Sequence, residues 1–360
     1  MRLVRFGGAR MFNLGYTLTL VILGTMSLGI LGGFLGSVLV LRRQALMGDA
    51  LSHATLPGVM LAFILFGTRS LNVLLTGALI SALIALGLMH LIRRHTVLGW
   101  DAAMALMLSG FFGLGQWLLS IIQRQGLAAQ GGLSRFIFGQ AATMLRADVM
   151  TIVSLITLLL VLLITHIKLI QNVIFDRAHY LSTGHRPWVI ETVLSAATLL
   201  FIVLGIRMVG VVLISALLIG PPLTARLWTH RFNRMLFIAA LSGGFSGLLG
   251  TLLSATVLNV PTGPMIVLVL GSLFLFSLLF APREGIVSRW KVTQRLRHNI
   301  RHYQALIHVY EHPGEIRLAE ASLDSFVAKG YLASSPKGWV LTALGTQRVE
   351  ALKRVILDES

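Results

Sequence analysis

Cysteine is absent from this 360-residue chain, which excludes disulfides, thiolate metal sites and iron–sulfur chemistry. Charge is scarce as well: 12% of residues are charged, and acidic residues number 13 against 30 Lys and Arg. Eight of those 13 lie beyond residue 282, so the first 282 residues hold five carboxylates. Any metal contact must use Asp, Glu, His, Met or backbone oxygen. What remains is apolar. The chain is 56% hydrophobic, with a mean hydropathy of +0.83, which no soluble globular protein of this length matches. A membrane span needs about 20 apolar residues, and the first 282 residues hold many such runs. No small-residue cleavage site follows the first run, so no cleavable signal peptide is expected.

The net charge is +17. Its basic residues sit in short loops between apolar runs, which reads as the cytoplasmic Lys and Arg excess of a bacterial inner-membrane protein. The membrane is therefore the expected partner of this charge, and nucleic acid is not. Spans are predicted at Gly15–Leu41, Met47–Phe66, Leu71–Ile92, Trp100–Ile122, Ala147–Ile167, Trp188–Leu204, Met235–Leu258 and Pro264–Phe280. A short, partly broken crossing, Val211–Ile219, lies between a break at Gly205–Gly210 and Gly220-Pro221-Pro222. Eight or nine transmembrane segments follow. A Gly- and Gln-rich loop, Gln123–Met144, carries a predicted short helix around Phe136–Gly139, and residues 168–186 read as a polar loop. In the first span Gly24, Gly29, Gly32, Gly33 and Gly36 form a close-packing face. Asp101, Asp148 and Glu191 sit at span starts, where a carboxylate caps a helix or faces water. Placing Arg42/Arg43, Arg93/Arg94, Lys168–Arg186, Arg226–Arg234 and Arg283 onward inside satisfies alternation, with the N-terminus outside and the C-terminus cytoplasmic.

The stretch LVLRRQALMGDALSHATLPGVMLAFILF, residues 39–66, organises the rest. Asp49 and His53 are four residues apart, so a helix puts both on one face and within reach of one cation. A carboxylate and an imidazole in an apolar span are costly, and there they suggest an ion path. Asp49 capping the helix, with His53 bonded to a nearby backbone group, is the other reading of the same spacing. Pro57 removes a backbone donor four residues after His53, which predicts freed carbonyls near the pair. Further on, residues 223–234, LTARLWTHRFNR, form a basic amphipathic stretch.

From Pro282 the composition changes to that of a small soluble domain, 283–360, attached to the transmembrane domain 1–282. Helices are predicted at Arg295–Glu311 and Leu318–Lys329, the latter ended by Gly330. Two short strands, Tyr331–Leu332 and Trp339–Leu341, flank the turn Ser334–Gly338. A last helix, Thr342–Leu357, has Thr342 as its N-cap. His298, His302, His308 and His312 read as solvated basic residues before a metal-sensing face.

These residues resemble a known family. LRRQALMGDALSHATLPGVMLAF is similar to the segment joining the first two spans in permeases of manganese, zinc and iron ABC importers. GVVLISALLIGPPLTARLWTHRFNRML resembles their coupling region, with Pro221-Pro222-Leu223 where Pro-Ala-Ala is usual, and NVPTGPMIVLVLGSLFLFSLLF resembles their last turn and span. The likeness covers residues 15–282. It implies an all-α polytopic importer-permease fold, with two copies, or this chain and a sister permease, around a central path. It implies Asp49 and His53 as contacts of a transported divalent metal (manganese, zinc or iron), with no permanently bound cofactor. It also implies an ATPase-coupling stretch that includes Thr224, Arg226, Leu227, Trp228, His230, Arg231 and Arg234. The implied partners are a separate ABC ATPase and an extracytoplasmic metal-binding protein. The chain has no Gly-x-x-x-x-Gly-Lys-Ser/Thr loop, so it is expected to be a transport subunit and not itself an enzyme. Residues 283–360 are similar to a truncated α+β winged-helix part of metal-dependent repressors. That likeness keeps open a second reading, a membrane-anchored metal-responsive regulator acting through this domain.

Overall fold

The computed structural model describes residues 15–68, 70–124, 146–256, 260–282, 284–291, 294, 310, 326–335 and 338–358. The first unit, Met1–Pro282, is all helical where described. Its elements are α1 Tyr16–Leu41, α2 Met47–Phe66, α3 Leu71–His95, α4 Trp100–Arg124, α5 Arg146–Thr165, α6 Ile167–Phe175, α7 Arg177–Ser182, α8 Pro187–Val209, α9 Val211–Trp228, α10 Phe232–Thr256 and α11 Thr262–Phe280. Eight of the described helices are long and apolar enough to cross a membrane, and α9 is a shorter apolar one.

Packing is organised by α1. A Cβ on Gly29 would overlap the Gly243 carbonyl, and one on Gly33 would overlap that of Ala239, so α1 and α10 meet backbone to backbone. Beside this contact the Thr25 and Thr251 hydroxyls lie 2.9 Å apart and hydrogen-bonded. On its other side α1 meets α9. A Cβ on Gly32 would stand 3.0 Å from the Leu217 carbonyl oxygen, and one on Gly36 would overlap the Leu218 carbonyl. Those are the two carbonyls that Pro221 and Pro222 leave without a helical donor. The glycine stripe therefore lets Cα hydrogens approach the carbonyls that the prolines free.

Three expectations are corrected here. Residues 168–186 are not a loop throughout, because α6 and α7 occupy most of them. Ile170 and Val173 of α6 and Tyr180 of α7 are buried, while Lys168, Arg177 and His179 stay exposed. Asp176 starts α7 by accepting the His179 N–H at 3.0 Å. The break expected over Gly205–Gly210 narrows to Gly210 alone, at φ +84°. Gly205 stays helical and is small because Ile214 packs on its face. Finally, Pro221 and Pro222 do not end the short crossing; α9 runs through both to Trp228.

In the second unit, Arg283–Ser360, β1 Leu332–Ser335 pairs antiparallel with β2 Gly338–Leu341, Leu332 facing Leu341 and Ser335 facing Gly338. The strands are longer than predicted and omit Tyr331; Ser334, Ser335 and Gly338 belong to the ladder instead of the turn. Helix α12, Ala343–Asp358, follows, and the Thr342 hydroxyl accepts the Gly345 N–H at 3.1 Å as an N-cap. Phe326, Leu332 and Val349 are buried. The helix Arg295–Glu311, most of Leu318–Lys329, the four histidines of 298–312 and the Phe136–Gly139 helix lie outside the described residues.

Replacing Gly33 by Val should cost about 1–3 kcal/mol, the usual range for overpacking. Gly87→Ala is the control, since nothing lies within 4 Å of a Cβ there. Thermal melting in detergent should show a lower midpoint for the first and no loss for the second.

Candidate metal-path site

Asp49 stands in the first turn of α2, and His53 one turn further on. Their side chains meet: His53 Nε2 lies 3.3 Å from Asp49 Oδ1. Two donors at about 2.1 Å from one ion and this far apart subtend roughly 100° at the metal, between tetrahedral and octahedral angles. Both side chains are about a quarter exposed in the single chain, 27% for Asp49 and 25% for His53. Neither is sealed in the core. The Phe112 ring of α4 stands edge-on to the imidazole, 5.0 Å between centroids, and restrains its plane. The second ring nitrogen, Nδ1, is buried with no hydrogen-bond partner.

Asp49 opens onto a groove of about 400 Å³ between α2, α9 and α11. Ser215, Ile219, Leu223, Leu270 and Phe274 form much of its wall, so Asp49 is the charged group of a mostly apolar surface. His53 does not line it. Among the described residues no group of three or more His, Cys, Asp or Glu could hold a metal. One chain thus brings one carboxylate and one imidazole together here.

The turn before α2 sets where these ligands stand. Arg43 N–H bonds the Val40 carbonyl at 3.1 Å and Gln44 N–H bonds that of Leu39 at 2.8 Å, with Arg43 at φ +57°. This is a Schellman stop in which an arginine occupies the left-handed position that glycine usually fills. Burial pulls the Arg42 guanidinium below its ordinary value; the Glu191 carboxylate pulls it back up, and the Arg177 charge lowers it further. Pro57 lies within α2 without ending it. The neighbouring Ala54 carbonyl accepts the Ser81 hydroxyl of α3 at 2.6 Å.

Of the residues expected to couple to an ATPase, Thr224, Arg226, Leu227 and Trp228 lie in the last turn of α9, His230 and Arg231 in the connection, and Arg234 in the first turn of α10. Thr224 is buried and bonds the Gly220 carbonyl at 2.9 Å, whereas Arg226, His230, Arg231 and Arg234 are exposed. Two ion pairs were not visible in the sequence. Asp148 Oδ1 of α5 accepts from Arg207 Nη2 of α8 at 2.6 Å. Glu191 Oε1 of α8 lies 3.4 Å from Arg177 Nη2. Both carboxylates pair with distant residues, which goes beyond capping their own helices. The available signal was scarcity, because each is one of the five carboxylates before residue 283.

A bundle of apolar helices, with an Asp49–His53 contact and a groove onto which Asp49 opens, is the architecture of a polytopic membrane protein. The chain belongs to the ABC 3 transport family, whose sequence pattern matches residues 15–281. It is 42% identical over 278 residues to the zinc transport system membrane protein TroC of Treponema pallidum, spanning 77% of this chain and 93% of that protein. It is 40% identical over 291 residues to the manganese transport system membrane protein MntC of Bacillus subtilis, spanning 81% and 67%. Among solved structures, PsaBC from Streptococcus pneumoniae in complex with Fab is similar, with a TM-score of 0.62 at 29% identity over 75% of this chain and 94% of that one. An inward-facing putative metal-chelate type ABC transporter shares the fold, with a TM-score of 0.56 at 18% identity over 71% and 84%.

Asp49→Ala or His53→Ala should abolish metal uptake by cells while the protein still assembles, judged by its size-exclusion profile. Uptake at the parental rate in either variant would contradict the assignment.

Proposed function

We propose that this chain is the membrane permease of an ABC importer that moves a divalent transition metal, of the manganese, zinc and iron class, into the cytoplasm. The observation that carries the reading is the 3.3 Å approach of His53 Nε2 to Asp49 Oδ1 on one face of α2, both partly accessible. A carboxylate and a neutral imidazole suit all three metals, and intrinsic affinity order does not choose between them. One chain supplies two ligands, so a second permease copy, identical or sister, brings the set to four. The names of the TroC and MntC relatives, a zinc and a manganese system, support the same cargo class.

Energy comes from a separate ABC ATPase docked on the exposed basic end of α9 and the start of α10. Cargo arrives from an extracytoplasmic metal-binding protein. The protein lies in the bacterial inner membrane. Alternation of the described helices puts Arg42/Arg43, Arg93/Arg94, Lys168–Arg186 and Arg226–Arg234 at one end, which supports a cytoplasmic assignment of that end. With nine crossings the C-terminus is also cytoplasmic. Residues 283–360 are then a winged-helix-like appendage on the cytoplasmic side.

The permease reconstituted with its ATPase in proteoliposomes should hydrolyse ATP faster with manganese, zinc or iron(II) than with magnesium alone. No stimulation by any of the three would overturn the reading. Arg226→Glu with Arg231→Glu should leave ATP hydrolysis running while metal accumulation stops; unchanged coupling would remove these residues from the docking surface.

A further inference from the structure

Among the described residues that line the groove beside Asp49, one other has a polar side chain, Ser215 of α9. It belongs to a single face of that helix. Ser215, Ile219 and Leu223 recur every four residues and all border the groove, with Leu270 and Phe274 of α11 across from them.

Helix contacts fix the level of this serine relative to the Asp49–His53 pair. A Cβ on Gly32 would meet Leu217, and one on Gly36 would meet Leu218 and Pro222, so α9 runs alongside α1 in the same direction. The turn after α1 reverses the chain, which makes α2 antiparallel to α9. A Cβ on Gly48 would overlap the Leu218 side chain, which sets Gly48 and Leu218 at one height. With a rise of about 1.5 Å per residue, Ser215 stands about 4.5 Å from that height, toward the Phe66 end of α2. In the same direction Asp49 stands at about 1.5 Å and His53 at about 7.5 Å. Ser215 is thus level with the middle of the pair, on the neighbouring helix.

The groove measures about 400 Å³. Six waters at about 30 Å³ each fill less than half of that, so an ion can reach Asp49 with much of its water shell in place. The apolar walls offer those waters no hydrogen bond. A serine hydroxyl has two acceptor lone pairs besides its one proton, so it can accept from a metal-bound water whatever its own proton bonds. Manganese suits carboxylate and water oxygens, whereas zinc takes imidazole readily and settles into four-coordinate sites with few waters.

We propose that Ser215 is a specificity-determining residue of the metal path: its hydroxyl accepts a hydrogen bond from a water carried by the ion at Asp49 and His53, and this favours manganese over zinc. The proposal rests on the metal-importer reading above. Manganese at the pair keeps waters, one of which is held from α9. Zinc at the same pair sheds more of them and gains little from the serine.

The difference between metals is the test. In the permease–ATPase complex in proteoliposomes, Ser215→Ala should raise half-saturating manganese for ATPase stimulation about tenfold, roughly the loss of one hydrogen bond to a charged partner, and half-saturating zinc less than about twofold. Ser215→Thr keeps a hydroxyl and should stay close to the parent. Ser215→Val has the same shape without one and should behave as the alanine variant. A packing defect would shift both metals alike and would not separate threonine from valine. A second readout needs no ATPase. The paramagnetic resonance signal of free aquo-manganese should fall on titration with the solubilised parent chain, and Ser215→Ala should need about tenfold more protein for the same fall. Equal shifts for the two metals, or manganese binding unchanged in Ser215→Ala and Ser215→Val, would overturn the role of Ser215 and leave the importer reading standing. A parent chain that neither binds manganese, zinc or iron nor is stimulated by them would discard the importer reading and the selectivity with it.

Discussion

Backbone contact between α1 and its two neighbours is the constraint on which the other positions depend. In hydrocarbon there is little hydrophobic gain from bringing helices together, so association relies on close packing and polar contacts. α1 supplies both. Gly29 and Gly33 let α10 approach to carbonyl contact, the Thr25–Thr251 pair adds a hydrogen bond beside it, and Gly32 and Gly36 seat α9 on the other flank. Pro221 and Pro222 would leave two α9 carbonyls bare in an apolar interior. The glycine stripe meets those same carbonyls. Once α9 and α10 are fixed, α2 is placed against α9, where Gly48 leaves room for the Leu218 side chain.

Against this apolar frame, the few charges fall into two kinds. Asp148–Arg207 and Glu191–Arg177 join separate stretches of chain near helix ends, where side chains are partly solvated and desolvation is limited. Asp49 and His53 instead lie on one helix, with Asp49 at a groove whose other walls are mostly apolar. Their mutual contact costs no long-range closure, because the i, i+4 spacing provides it. Beyond that contact, the edge of the Phe112 ring packs on the His53 imidazole.

Much of this was readable before any coordinates, for identifiable reasons. The spans follow from composition, and α2 falls at the residues expected, Met47–Phe66. The Asp49–His53 contact was readable because helical spacing is a local property. Residues 168–186 misled because Lys168, Arg177 and His179 mark the exposed side, and a stripe as short as Ile170 and Val173 is hard to recognise among them. Gly205 misled because glycine signals both a break and a close contact, and only the position of Ile214 tells which applies. The partners of Glu191 and Asp148 left no local trace. An ion pair between Asp148 and Arg207 is set by how α5 and α8 pack, and no spacing rule reaches that far.

Among the described residues, five buried side-chain nitrogen or oxygen atoms lack a hydrogen-bond partner. Four of them, Arg42 Nη1, Gln44 Oε1, Ser52 Oγ and His53 Nδ1, fall within the single stretch 42–53. Leaving such a group unpaired costs on the order of 1–3 kcal/mol, so unpaired groups are expected to be rare and scattered. Their concentration here cannot reflect poor packing of the region, since Met47, Ala50, Leu51 and Ala54 beside them are fully buried. The apolar side of the stretch is well packed while its polar side is under-bonded. A permease that must hold an ion and then let it go needs ligands supported by a region with more than one acceptable arrangement. Here the unmet hydrogen-bonding capacity lies directly beside the firm apolar anchor of α2.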